Sequence, residues 1–338
     1  MTHRTVARSA LALVATLLLS ATAQAQIFRA YLASDGSDAN PCTLPSPCRL
    51  LPAAIAAVAS GGQIWLLDSA NYNTGTVNIN KSVKILAVPG VVGSVVTNGG
   101  DAINIATAGV EVALRNLVIG SVVGVAGGNG IVMTAGDALT LESCLFDGLQ
   151  GVAISVNAAA IVRMTDTIVR NNGSYGLVVQ GGARVNIARS TFARNQNYGI
   201  FVQGAGANTT RADIAYSIID NNGNGGVTAL SSHASGVVAV SLAESQVTGN
   251  AAWGAIAQSN LGASVTLLAS NNMIANNAGV GLGSFSTGAR VLASGNTIGG
   301  NSYGLYNNGG LFESSGNNSV RNNATANTNG TITVVAME

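Results

Sequence analysis

The chain has 338 residues, of which 9% are charged, 4% are aromatic and 47% are hydrophobic, and it contains 43 glycines but only 5 prolines. This composition excludes an acidic disordered chain, collagen and a coiled coil. The net charge of +1 and the lack of a Lys/Arg-rich run argue against a nucleic-acid partner. The length allows two ordinary domains or one elongated repeat domain, and the small-residue composition favours the repeat.

Residues 1–25 are predicted to be a Sec-type signal peptide. Two arginines precede an apolar run from Ala10 to Leu19, and Ala23-Gln24-Ala25 then matches a cleavage site for small residues. Cleavage between Ala25 and Gln26 predicts a secreted or periplasmic protein, and an uncleaved anchor is the alternative. No later stretch is continuously apolar over about 20 residues, so no membrane span is expected.

Two of the three cysteines lie close together in the sequence. Cys42 and Cys48 bracket Thr-Leu-Pro-Ser-Pro, which is too rich in proline for a helix or a central strand. Because an exported protein is exposed to oxidising conditions, a disulfide closing this short loop is predicted. Cys144 is predicted to be a small packed side chain, with a nucleophile as the alternative.

A short helix and several irregular strands are predicted next. Pro52–Ala59 has proline near its start, alanine throughout and Ser60-Gly61-Gly62 behind it, so residues 26–62 are expected to form a disulfide loop and a capping helix. Strands are predicted at residues 63–68, 77–79, 83–87, 103–105 and 110–114, and a last strand is predicted at 331–335.

The remainder of the chain repeats every 22 to 28 residues. Each unit has a small polar residue, an apolar residue two positions later and, in seven of nine units, an asparagine five positions later. The small polar positions are Asn116, Ser143, Asp166, Ser190, Ser217, Ser245, Asn272, Asn296 and Asn318. Alternation of this kind predicts strands, and units this short are stable only when they stack. An all-β parallel β-helix is therefore predicted over residues 63–338, with regular coils from about 110 to 325.

Stacked coils would place equivalent residues about 4.8 Å apart, so the recurring polar positions are expected to form ladders along the solenoid. An asparagine amide can bond both to the backbone of its own coil and to the identical amide above or below it. The repeated asparagines are therefore predicted to be structural, with ligand binding as the alternative.

The chain resembles the secreted right-handed parallel β-helix proteins of the pectate-lyase-like superfamily over about residues 28 to 335. The resemblance rests on the stretch from Tyr31 to Cys42, on Pro47-Cys48-Arg49 leading into the alanine-rich helix, and on the Asn-Asn-Gly-x-x-Gly-apolar turns. It implies a single-stranded right-handed β-helix. Many members act on polysaccharides as lyases, hydrolases or esterases and others are non-catalytic, so the fold alone does not assign a chemistry.

The catalytic motifs that the resemblance would imply are not found. A pectate lyase would need a proline-containing arginine motif, but no proline follows Pro89. A polygalacturonase would need an adjacent aspartate pair and a Gly-His-Gly sequence, and neither is present. The motifs of pectin esterases have no match either. The sequence therefore predicts no recognisable catalytic site.

Three aspartates remain as weak catalytic candidates. Asp166, Asp213 and Asp220 lie in nearby coils and would have to converge on one face to act as paired acids. The alternatives are a ladder role for Asp166 and surface positions for Asp213 and Asp220. No Asp-rich loop supplies several oxygen ligands around one point, so neither a metal nor another cofactor is predicted.

The best candidate for a ligand-binding edge lies in the coils between residues 143 and 217. Six arginines are concentrated there: Arg163, Arg170, Arg184, Arg189, Arg194 and Arg211. Asp147, Arg170 and Arg194 are predicted to share one column of successive coils, where two stacked arginines would favour an anion between them. Solvated arginines on a polar face are the alternative.

Four aromatic residues, Tyr175, Tyr198, Trp253 and Tyr303, immediately precede the turn glycine of their coils. These rings are expected to line one edge of the rod and stack on sugars, or else to pack over the next turn. The predicted ligand-binding residues are Arg170, Arg189, Arg194, Tyr175 and Tyr198.

The function predicted from the sequence is an exported β-helix protein that binds a polysaccharide or a cell-surface glycan and lacks a recognisable catalytic site. One alternative is a polysaccharide lyase or glycoside hydrolase that acts on an acidic glycan. Another is a structural or adhesive rod, which would need only the ladders.

Overall fold

The structure, a computed structural model, describes residues 26–122 and 124–336. The predicted signal peptide at residues 1–25 lies outside the described residues. The described chain forms three parallel β-sheets that stack into a solenoid of about eleven turns. Each coil contributes one strand to the first sheet, one to the second and one to the third before the chain enters the next coil.

The first sheet has 13 strands in the described part of the chain. They are β1 (Ile27–Leu32), β2 (Val58–Leu66), β5 (Val83–Ala87), β8 (Glu111–Arg115), β11 (Ala138–Glu142), β14 (Ile161–Thr165), β17 (Arg184–Ala188), β20 (Thr210–Ala215), β23 (Val238–Ala243), β26 (Val265–Ser270), β29 (Ala289–Ser294), β32 (Leu311–Ser314) and β35 (Thr333–Val334).

The second and third sheets have 11 strands each over the same described residues. The second sheet comprises β3 (Ala70–Asn71), β6 (Gly93–Thr97), β9 (Leu117–Ser121), β12 (Leu145–Asp147), β15 (Ile168–Arg170), β18 (Thr191–Ala193), β21 (Ile218–Asp220), β24 (Gln246–Thr248), β27 (Met273–Ala275), β30 (Thr297–Gly299) and β33 (Ser319–Val320). The third comprises β4 (Val77–Ile79), β7 (Ile103–Ile105), β10 (Ile131–Met133), β13 (Ile154–Asn157), β16 (Leu177–Gln180), β19 (Ile200–Gly204), β22 (Val227–Ser231), β25 (Ala255–Ser259), β28 (Val280–Phe285), β31 (Tyr303–Asn308) and β34 (Ala326–Asn329).

The core lies between the three sheets and follows the two-residue period of a strand. In β14, Val162 and Met164 are fully buried, while Ile161 and Arg163 point to solvent. The same alternation in every coil builds one continuous core of Ile, Val and Leu, supplemented by Phe146, Phe192 and Phe312. A solenoid of this kind is stable through contacts between neighbouring coils.

Two polar ladders, buried except at their last members, run along the rod, which confirms the predicted asparagine ladders. One lies between the first and second sheets, at Thr167, Ser190, Ser217, Ser245, Asn272, Asn296 and Asn318. The other follows the second sheet, at Asn172, Asn195, Asn222, Asn250, Asn277, Asn301 and Asn323.

Asn222 illustrates how each ladder amide is satisfied. Its Oδ1 accepts hydrogen bonds from the backbone N–H and the side chain of Asn195, at 3.1 and 3.0 Å. Its Nδ2 donates to Oδ1 of Asn250 at 2.9 Å and to the carbonyl of Phe192 at 3.1 Å. Burying an amide is costly unless its bonds are made, and the neighbouring amides and the Phe192 carbonyl make all of these bonds for Asn222.

The predicted ladder register was wrong by one residue in the earlier coils. Asn116, Ser143 and Asp166 have φ of 55°, 52° and 51° and form the corner before the ladder position, which Leu117, Cys144 and Thr167 occupy. Asparagine and aspartate tolerate this left-handed conformation, so they suit the corner as well as the ladder.

The same shift exchanged the inward and outward residues of the second-sheet strand in these coils, and the effect is largest at Ile168. Ile168, predicted to be the inward apolar residue, is 41% exposed, and Val169 is buried instead. Asn171 is likewise the exposed corner with φ of 55°, and Asn172 is the buried ladder member. A slip of one residue in a strand moves every side chain to the other face.

The N-terminal region contains the one helix of the described residues, α1 (Leu51–Ala57), and the predicted disulfide between Cys42 and Cys48 is confirmed. The helix buries Leu51, Ala54 and Ile55 and contacts β1, β2 and β4. It ends two residues earlier than predicted, because β2 begins directly at Val58 and includes Ser60-Gly61-Gly62.

Candidate functional site

The three arginines predicted to bind a ligand already have partners. Arg170 donates through Nε to Asp147 Oδ2 at 3.0 Å, and Arg189 bonds both carboxylate oxygens of Asp166 at 2.8 and 3.0 Å. Arg194 donates through Nε to Oδ1 of Asn171 at 3.0 Å. Each pair links neighbouring coils on the surface of the rod.

The predicted column of stacked arginines is not formed. Asp147 and Arg170 are in register, as expected, but the residue in register with Arg170 in the next coil is Ala193. Arg194 follows as a corner residue with φ of 51° and is paired with the corner residue Asn171. The two guanidinium groups therefore do not enclose an anion site between them.

The three candidate aspartates lie at separate places. Asp166 is at an exposed corner between the first and second sheets, where the hydrogen bond from Arg189 lowers the pKa of its carboxyl. Asp213 is on the outward face of β20 in the first sheet, and Asp220 ends β21 in the second sheet. Paired glycosidase acids must flank a single bond, and the structure does not bring these carboxylates together.

Aromatic residues from successive coils do come together on the outside of the third sheet. We call Tyr175, Tyr198, Phe201 and Trp253 the aromatic stripe. The Tyr175 and Tyr198 rings stack with centroids 5.4 Å apart and an interplanar angle of 20°, and Tyr198 lies 6.1 Å from Trp253. Phe201 lies beneath both tyrosines, at 5.4 and 5.2 Å. The four rings are half-buried, so each retains a solvent-facing part.

Gly225 allows Trp253 to join this stripe. Backbone hydrogen bonds place Tyr175, Tyr198, Gly225 and Trp253 at the same position of four successive coils. A Cβ at Gly225 would collide with the indole of Trp253, which therefore lies in the space that the glycine leaves. The indole Nε1 donates to Thr228 Oγ1 at 3.0 Å, and this bond fixes the ring's orientation.

The stripe is bordered by amide side chains. Gln180 Nε2 donates to Gln203 Oε1 at 2.8 Å on the outward face of β16 and β19, and Asn224 Nδ2 donates to Asn197 Oδ1 at 3.4 Å beside the turns. Burial among the rings and the proximity of Tyr175 raise the pKa of Tyr198, so its hydroxyl stays neutral at physiological pH. The surface thus combines rings with neutral donors and acceptors.

Tyr303, the fourth aromatic residue predicted for this edge, belongs to a separate group. Val280 occupies the equivalent position of the intervening coil, so the ring column is interrupted there. Tyr303 packs against Tyr306 at 5.1 Å, and Tyr306 stacks on Phe285 at 5.4 Å. The stripe is therefore limited to the coils between residues 175 and 253.

Metal binding, a cysteine nucleophile and a membrane-spanning helix are three further properties that bear on function in the part of the chain that the structure describes. Residues 26–122 and 124–336 contain no group of three or more His, Cys, Asp or Glu side chains that could hold a metal ion. Burial raises the pKa of the Cys144 thiol to about 11, which does not suit a nucleophile. No helix among these residues is long and apolar enough to cross a membrane.

A family model described as a right handed beta helix region matches residues 101–267, about half of the chain. The chain folds as a right-handed parallel β-helix. The fold that the sequence resemblance implied is thus confirmed. No curated protein sequence matches this β-helix significantly.

Several solved structures share the fold of this β-helix at low identity. Pectate lyase Pel9A matches with a TM-score of 0.51 at 15% identity, over 90% of this chain and 77% of that one. The A-module of mannuronan C-5 epimerase AlgE4 from Azotobacter vinelandii gives 0.53 at 15%, over 81% and 87%. XylC, solved with xylose, gives 0.60 at 8%, over 82% and 69%. Identities this low establish the fold alone.

Proposed function

We propose that this β-helix is an exported protein that binds carbohydrate through the aromatic stripe. The observation that carries the proposal is the contiguous set of rings from separate coils, Tyr175, Tyr198 and Trp253, on one face of the rod. Aromatic rings with a polar edge are suited to surfaces where one side of a ligand is apolar and the other is hydrated. The apolar face of a pyranose ring and its hydroxyl groups fit this description.

The rigidity of the stripe also supports binding. Stacking and the Trp253–Thr228 hydrogen bond hold the rings in place before a ligand arrives, so little side-chain entropy is lost on binding. The neighbouring Gln180–Gln203 pair offers amide donors and acceptors to sugar hydroxyls. Neutral groups of this kind orient a sugar without requiring it to be charged.

Two further observations agree with the proposal. Proteins of the same fold include a pectate lyase, a mannuronan epimerase module and a protein solved with xylose, so this solenoid is used repeatedly with carbohydrates. The disulfide between Cys42 and Cys48 fits an oxidising compartment outside the cytoplasm, where extended glycans occur.

The test is retention of the purified protein in affinity electrophoresis on the neutral glycans unsubstituted xylan and mixed-linkage glucan, which carry no acidic groups that could bind to arginines. We expect Tyr198→Ala and Trp253→Ala to weaken binding of the retained glycan at least tenfold, because each removes a half-buried aromatic ring from this surface. Tyr216→Ala is the matched control, since Tyr216 is 59% exposed at a corner between the first and second sheets.

Unchanged retention of both stripe variants would overturn the proposal, and so would the absence of retention on every glycan. The same reactions are assayed for new reducing ends. Release of new reducing ends by the wild-type protein would show that it is a polysaccharide lyase or hydrolase and not only a binding protein.

A further inference from the structure

The ion-paired arginines of the described residues follow one rule: the guanidinium lies against a carboxylate of the adjacent coil. Four pairs in the described residues obey it, namely Arg115–Glu142, Arg170–Asp147, Arg189–Asp166 and Arg290–Glu313. Coils are one strand spacing apart, about 4.8 Å, so an arginine reaches a neighbour in the next coil easily. Opposite charges in such cross-strand positions stabilise the sheet.

Arg184 and Arg211 break this rule on the outward face of the first sheet. They are in register on the adjacent strands β17 and β20, and their other neighbours in the column are Ile161 and Ala239. Both are exposed, and in the described part of the chain neither side chain forms an ion pair or hydrogen bond. Like charges placed directly opposite each other destabilise a sheet.

Arg163 adds a third unmatched cation to this face. It lies on the next strand, β14, in register with Asn186, which is two residues from Arg184 on the same face of β17. We call Arg163, Arg184 and Arg211 the arginine face. Each guanidinium carries five N–H donors, and planar forked donors of this kind match the oxygens of an oxyanion.

A shallow depression of about 330 Å³ lies on this face and is lined by Arg163. Arg184 and Arg211 lie two residues before Asn186 and Asp213, which also line it, on the same strands. Its floor includes Ala188, Ala215 and Ala243, which are in register on three strands and leave room because they are small. The site therefore combines cationic donors with a carboxylate and a smooth apolar floor.

We propose that the arginine face is a second binding site, which takes an oxyanion group, carboxylate or sulfate ester, carried on a polyhydroxylated chain. Asp213 and Asn186 accept hydrogen bonds from hydroxyl groups, which such a chain supplies in every unit. Double-stranded DNA is the less favoured polyanion, because the net charge of +1 and the lack of a Lys/Arg-rich run provide no extended basic surface to follow its backbone.

This site goes beyond the proposed function, because it lies on the first sheet and shares no residue with the aromatic stripe on the third. A lack of binding at the arginine face can therefore be distinguished from a lack of carbohydrate binding at the aromatic stripe. Tyr198→Ala should leave binding at the arginine face unchanged.

The test measures binding of the full chain to polygalacturonate, dextran sulfate and double-stranded DNA, which present carboxylate, sulfate and phosphodiester groups. We expect one of the two acidic polysaccharides to bind at low salt and to weaken as salt rises. The double variant Arg184→Gln/Arg211→Gln should lose roughly tenfold in affinity per arginine, because hydrogen bonds to charged groups are strong.

The matched control is Arg170→Gln/Arg189→Gln, which removes the same number of charges from arginines that are already paired. This control should keep wild-type affinity. An equal loss of affinity in the control would show that only the net charge of the protein matters, and it would overturn the proposal. Tighter binding to DNA than to either polysaccharide, or no binding by the wild-type protein at low salt, would also overturn it.

Discussion

The outward faces of the third and first sheets differ although the same coils build both. On the third sheet, the rings of the aromatic stripe pack against one another. The Trp253 N–H and the Gln180 amide form hydrogen bonds within the protein. On the first sheet, Arg184 and Arg211 lie in register, and their immediate neighbours in the column are Ile161 and Ala239. One face is organised before a ligand arrives, whereas the other carries arginines that form no ion pair within the described part of the chain.

This difference shows how a solenoid separates stability from recognition. The inward positions are constrained in every coil by the apolar core, and in the coils from Thr167 onwards also by the two polar ladders. The outward positions of each strand are not needed for stacking, so neighbouring columns can carry rings on one sheet and unmatched charges on another. The outward-facing side chains can thus differ from one sheet to another while the backbone of each coil stays the same.

Breaking the shared interior should affect both faces and have the largest effect. Asn222→Ala removes an amide that bonds to Asn195, Asn250 and the Phe192 carbonyl, and it leaves buried groups without partners. We expect the free energy of unfolding to fall by about 3 kcal/mol, measured by urea denaturation. Binding at the stripe and at the arginine face should both decline as the coil loosens.

The adjacent residue is the control for this change. Asn221 is an exposed corner with φ of 53°, and glycine adopts that conformation without strain, so Asn221→Gly should alter stability by about 0.5 kcal/mol or less. Equal destabilisation by the two variants would show that the ladder is not what holds the coils together.

A smaller effect separates the arginine face from the paired arginines. Because Arg211 faces Arg184 directly, Arg211→Gln should raise the free energy of unfolding by about 0.2–1 kcal/mol at low salt and by less at high salt. The melting temperature of this variant is compared with that of Arg115→Gln, which instead loses the carboxylate partner Glu142. A decrease in stability for Arg211→Gln would mean that the in-register arginines are not in conflict.

The repeat in the sequence predicted the fold well because its period is a direct consequence of stacking. Strands at 77–79, 83–87 and 103–105 lie where they were predicted, and the ladders exist. The exact register was harder to predict. In Asn171-Asn172 and Asn221-Asn222, one asparagine turns the corner and the other is buried, and the residue type is the same. Only alignment of whole coils decides which is which.

The candidate site was partly predictable for the same reason. Tyr175, Tyr198 and Trp253 share a turn glycine as their next residue, and this local pattern placed them on one edge. Phe201 and the gap at Gly225 became apparent only once the coils were superposed.

Predicting which arginines lie next to each other required the alignment of the coils even more than predicting the aromatic stripe did. Arg184 and Arg211 are 27 residues apart, and a change of one residue in the turn between them would have removed their register. The sequence therefore showed that arginines are concentrated in this region but not which of them are paired.

The central claim, that the aromatic stripe binds carbohydrate, can be tested with the two tryptophans of the chain, Trp65 and Trp253. Trp65 lies on β2 of the first sheet, so Trp65→Phe leaves Trp253 as the single emitter in the stripe. We expect its fluorescence to change and saturate as the retained glycan is added. Trp253→Phe should show no such change. A saturating signal in Trp253→Phe with none in Trp65→Phe would contradict the claim.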